Sequence, residues 1–105
     1  MPKKYEIQIV PLAVQDISDI TDYIADVLSA PQAACDLLTK INEAMESLEQ
    51  FPFAFPIYRD PAFAKLGYRI RLVGNYLLFY VVVGNIVEIR RVIYAKRNLP
   101  ELLEH

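Results

Sequence analysis

The sequence predicts an α+β domain in the order β-α-α-β-β-β, an antiparallel helical hairpin on one face of a four-stranded, largely antiparallel sheet. Three observations carry this. Two identical Gly-Asn corners, Gly74-Asn75 and Gly84-Asn85, separate apolar runs rich in Val, Ile, Tyr and Phe. Such pairs tolerate the positive φ that two-residue hairpin loops need, and residues of those types suit a pleated sheet. Two stretches between residues 12 and 50 repeat apolar residues at the spacing of one helical face. One short alternating segment precedes them.

Tyr5 to Val10 alternates apolar and polar, with Tyr5, Ile7 and Ile9 on one side, and reads as the first strand. Pro11 ends it and is placed to open a helix. From Leu12 to about Leu28 the stripe is Ile17, Ile20, Ile24 and Val27 or Leu28. Asp16, Asp19, Asp22 and Asp26 occupy the remaining positions, scattered as on a solvated helix face rather than grouped as cation ligands. Ser29-Ala30-Pro31 breaks the helix and restarts it. To about Gln50 the second stripe is Ala34, Leu37 or Leu38, Ile41, Met45 and Leu48. A connection this short makes an antiparallel pair. Residues 51–64 carry Pro52, Pro56 and Pro61 with four phenylalanines, and read as an irregular crossover packed against the body.

The corners set the register of the last three strands. With two-residue loops, Arg69 lies opposite Tyr80, Arg71 opposite Leu78, Leu78 opposite Arg91, and Tyr80 opposite Ile89. One face then holds Arg69, Arg71 and Arg91 with Tyr76, Leu78, Tyr80, Val82 and Ile93. The other holds Tyr68, Ile70, Leu72, Leu77, Phe79, Val81, Val83, Ile86 and Val92, with Glu88 and Arg90 as its charges. The second is the expected core face. The first is a basic and aromatic surface whose apolar members, Leu78, Val82, Ile89 and Ile93, mark a partner site.

Composition narrows the function. The 105 residues form one domain, with residues 1–102 as its body and 103–105 read as a tag remnant. No run reaches the roughly 20 apolar residues of a membrane span, and no signal peptide is expected. The single cysteine, Cys35, excludes an internal disulfide, fits a reducing cytoplasm, and reads as a small packed residue. With His105 set aside there is no histidine, which excludes a histidine triad or zinc site; no metal or cofactor is expected. Residues 1–50 hold three lysines against nine acids, whereas residues 51–105 hold eight basic residues against four acids. An acidic scaffold and a basic working surface follow. A pI of about 5.3 argues against a strong generic nucleic-acid binder.

The ordered pieces Gly67-Tyr68-Arg69, Gly74-Asn75-Tyr76, Phe79-Tyr80, Val87-Glu88-Ile89, Arg91-Val92-Ile93-Tyr94 and Lys96-Arg97-Asn98 resemble the RelE/ParE superfamily of bacterial toxins. Gln32-Ala33-Ala34 and Leu48 to Pro52 extend the likeness over nearly the whole chain. The resemblance implies a small cytoplasmic toxin of a type II toxin–antitoxin module, silenced by an antitoxin, with a homodimer or a heterotetramer left open. It offers two mechanisms. RelE-like members cut mRNA on the ribosome without metal, and the resemblance would give that work to Arg69, Arg71, Arg91, Tyr94 and Arg97. Leu77 replaces the arginine that RelE has there, and Leu102 and Leu103 stand where a tyrosine is expected. ParE-like members poison DNA gyrase by binding, and this chain lies closer to them. Its target- or antitoxin-binding residues would be Arg69, Arg71, Tyr76, Leu78, Tyr80, Ile89, Arg91, Lys96 and Arg97. A third reading is an interaction module without toxicity.

Overall fold

A computed structural model describes residues 4–96. Strand β1 spans Glu6–Ile9, helix α1 Pro11–Asp22, and helix α2 Pro31–Gln50. Between the helices, Tyr23–Val27 widens into a π-helical turn that ends at Ser29, whose φ is +51°. Strands β2 (Arg69–Val73), β3 (Tyr76–Val83) and β4 (Ile86–Tyr94) form the meander, with both corner glycines at positive φ. The sheet order is β1-β4-β3-β2, and β1 runs parallel to β4. The expected α+β architecture, with a helix pair on a four-stranded mixed sheet, is the one observed.

The helices lie on the opposite face from the one expected. Their buried residues Ala13, Leu37, Ile41, Ala44 and Leu48 form one cluster with Val73, Leu78, Tyr80, Val87, Ile89 and Val92. Leu78 and Ile89, assigned to an exposed patch, are completely buried, and Ile93 is buried against the other face. Counting charges per face misleads here because position along the sheet matters too. Arg69 and Arg71 belong to β2, an edge strand, so their charged ends lie at the margin rather than under the helices.

The register holds between β2 and β3, where Arg69 pairs with Tyr80 and Arg71 with Leu78. Between β3 and β4 it shifts. Tyr80 still faces Ile89, but Phe79 faces Arg91, which leaves Arg90 as the extra residue of a bulge. Leu78 therefore meets Val92 instead of Arg91, and Tyr76 meets Tyr94.

The second face is also covered. Asp60 caps a short helix α3, Pro61–Ala64, by accepting the Ala62 N–H, so Pro61 opens a helical turn within the segment expected to be irregular. Phe63 and Tyr68 pack there with Phe79, Val81 and Ile93. The crossover thus supplies a second layer. Cys35, expected to be packed, is exposed on α2. No described helix is long and apolar enough to cross a membrane.

Candidate functional site

The sequence-derived site residues fall into two places. The first is the β2 margin. There the segment Phe51–Pro56 runs as a strap across the side chains of Arg69, Arg71 and Tyr80. Tyr80 is fully buried, and its hydroxyl donates to Pro52 O at 2.7 Å. Arg69 Nη1 donates to Phe55 O at 2.7 Å, and its guanidinium stands 5.1 Å from the Phe53 ring centre. The Arg71 guanidinium lies 4.6 Å from the Phe55 ring centre, and its Nε is buried without an acceptor. Aromatic faces attract such cations, which accounts for Phe53 and Phe55 lying against the two arginines. Burial pushes the Tyr80 phenol up to about 12, against a smaller lowering by Arg69 and Arg71. A phenol held there is a poor proton-transfer group near neutrality.

The second place is a cleft of about 710 Å³ where α1, the π turn and the end of β4 meet. Strand β1 pairs only as far as Ile89, so the rest of β4 lacks a strand neighbour on that side. Asp16 of α1 takes that role. Its carboxylate accepts the Val92 N–H at 3.0 Å, Arg91 Nε at 2.7 Å and Arg91 Nη2 at 3.1 Å. Both side chains are nearly enclosed, at 14% and 13% exposure for Arg91 and Asp16. Tyr76 and Tyr94 meet edge to face at 5.6 Å between ring centres, with Tyr23, Ile20, Leu28 and Asp19 around them. Burial, then the neighbouring Tyr94 and Tyr23, raises the Tyr76 phenol above its ordinary value.

Arg69, Arg71 and Arg91 therefore do not share an open surface. Leu78 sits between Arg71 and Val92 across the sheet, fully buried, and Arg91 turns to α1. The bulge also moves Tyr94 to the same face as Tyr76 and leaves it 38% exposed at the cleft. Lys96 is exposed just beyond Tyr94, and Arg97 lies outside the described residues. On the outer face, Arg90 donates to Glu88 at 2.6 Å, the contact that chiefly raises its pKa. Sequence reasoning missed Asp16 and the strap. Asp16 stands four residues before Ile20 and so borders the buried stripe, which was the available signal.

A family described as the ParE toxin of the type II toxin–antitoxin system parDE matches residues 7–99. The chain belongs to the ParE toxin family. Two solved structures share this ParE-type fold. One, titled as the chromosomal ParDE toxin–antitoxin system from P. aeruginosa, has 20% identity and a TM-score of 0.73, covering 90% of this chain and 99% of that one. The other, titled as the toxin–antitoxin complex RelBE2 from Mycobacterium tuberculosis, has 18% identity and a TM-score of 0.60, covering 87% and 98%. No curated protein sequence matches.

Proposed function

We propose that this ParE-family chain is the toxin of a type II module, held silent in the cytoplasm by its antitoxin, and that it arrests growth by binding and poisoning DNA gyrase without chemistry of its own. The observation that carries this reading is the dispersal of the groups that RNA cleavage would require. Metal-independent cleavage needs several cations aimed at one developing phosphorane charge, beside a group that moves protons. Here Arg69 and Arg71 sit at one margin under the strap, whereas Arg91 is held by Asp16 on the far side of buried Leu78. Tyr80 is sealed from solvent, and Tyr94 belongs to the cleft. Among the described residues that constellation is not assembled, which supports action through the surfaces.

The two similar structures, both toxin–antitoxin systems, support the antitoxin as partner. The ribosome-dependent nuclease is the competing reading, with Arg69, Arg71, Arg91, Tyr94 and Arg97 as its residues. Induced expression in a bacterial host separates the two. Gyrase poisoning produces chromosome breaks that vanish in a gyrase mutant. Site-specific mRNA cuts in translating cells, with the chromosome intact, overturn the proposal in favour of the nuclease. Unimpaired growth leaves only the non-toxic module.

A further inference from the structure

We propose that Arg69 and Arg71 form an anchoring site for carboxylates of an acidic helical segment on a partner protein. The inference rests on the antitoxin reading and specifies which chemistry of the partner the β2 margin receives. Both cations are half-buried, and no carboxylate pairs with either among the described residues, whereas Lys4, Arg90 and Arg91 each have one. Fully buried arginines are almost always paired, so a partner that covers these two must supply acceptors. The Phe53 and Phe55 rings occupy the flat faces of the two guanidiniums. Stacking of that kind leaves the in-plane N–H donors available, in the fork that matches a carboxylate. Among the described residues Phe55 O takes one of these donors, Arg69 Nη1, whereas the Arg71 Nε is buried without an acceptor, so an incoming carboxylate meets the terminal Nη groups of Arg71.

Geometry restricts the ligand further. Arg69 and Arg71 are two apart on one strand, about 7 Å along it. Carboxylates four residues apart on a helix are spaced by about 6 Å. The start of the β2 edge is closed to strand addition, because Ile70 N–H already donates to Pro56 O and Tyr68 O accepts from Tyr58 N–H. Phe53, 58% exposed beside Arg69, offers the helix an apolar contact. Nucleic acid fits less well. The Phe53 and Phe55 faces nearest the two guanidiniums are taken up by them, which leaves fewer ring faces to stack on bases.

The test titrates the full chain with two probes, following the arginine side-chain N–H resonances by NMR. One probe is a capped, alanine-rich helical peptide with glutamates four residues apart. The other is a single-stranded RNA of equal charge. The peptide is expected to bind saturably, shifting Arg69 and Arg71, and to weaken at least about tenfold in Arg71→Gln. Arg71→Lys, which keeps the cation over Phe55 but loses the fork, is expected to weaken binding by a smaller factor and serves if Arg71→Gln does not fold. Arg59→Gln, at an exposed position, is expected to bind as the parent does. Absence of saturable peptide binding, equal binding by both Arg71 variants, or tighter binding of the RNA overturns the inference. If the antitoxin still relieves growth arrest by the Arg71 variants as fully as it does for the parent, this anchoring site fails while the toxin–antitoxin reading stands. If the parent arrests nothing, the reading fails and peptide binding is judged on its own.

Discussion

Asp16→Ala tests the cap that α1 places on β4. The substitution removes a carboxylate that accepts from Arg91 Nε, Arg91 Nη2 and the Val92 N–H. The two side chains are 14% and 13% exposed, so solvent screens the pair only weakly. Removing one member of a buried pair costs roughly 3–5 kcal/mol, because the remaining charge loses its carboxylate where solvent replaces it poorly. The remaining exposure and the polar rim of the cleft favour the lower end, about 3 kcal/mol. In a domain of this size, with about 4 °C of melting temperature per kcal/mol, the expected drop is roughly 12 °C. Urea denaturation followed by circular dichroism measures the loss directly. A cycle with Arg91→Ala is expected to return a coupling above about 1 kcal/mol. A loss below about 1 kcal/mol, or additive single variants, refutes the claim that Asp16 stands in for a missing strand neighbour.

Three further variants carry expected outcomes. Tyr80→Phe removes the hydrogen bond to Pro52 O and is expected to cost about 1–3 kcal/mol in urea denaturation. The same variant alters the alkaline limb. The phenol titrates near 10 in the unfolded chain and near 12 when folded, so the unfolded state loses its proton first and stability falls between those values. About 2–3 kcal/mol of the parent's loss over that window is expected to vanish in Tyr80→Phe, read as denaturation midpoint against pH. Gly74→Ala, at a φ of +60°, meets no atom within 4 Å, so its cost of about 1–2 kcal/mol comes from backbone conformation alone, with Gly74→Asn milder. Leu78→Ala, at a fully buried position, is expected to lose about 2–5 kcal/mol, whereas an exposed Leu78 would lose almost nothing.

Much of the fold was legible because turn chemistry and periodicity act locally. The two Gly-Asn corners specified the β2–β3 register residue for residue. The stripes located both helices, with Leu37, Ile41 and Leu48 buried as expected. The site was less legible, for two physical reasons. A bulge at Arg90 is one added residue between sound strands, without a glycine to mark it, yet it moved Arg91, Val92, Ile93 and Tyr94 relative to β3. The face covered by the helices was misjudged because charge was counted per face. Arg69 and Arg71 stack their planar cations on phenylalanine rings from a segment more than ten residues earlier, a long-range contact that no local pattern announces. Asp16 was hidden among four similar aspartates, and only the open stretch of β4 distinguishes it.

The claim on which the functional account rests is that this chain acts by binding rather than by cutting RNA. Its most direct test places purified chain with gyrase, ATP and supercoiled plasmid, alongside a purified translation system carrying a defined mRNA. The account predicts trapped, linearised plasmid that requires gyrase, and intact mRNA. Cleaved mRNA on the ribosome with the plasmid left supercoiled would contradict it.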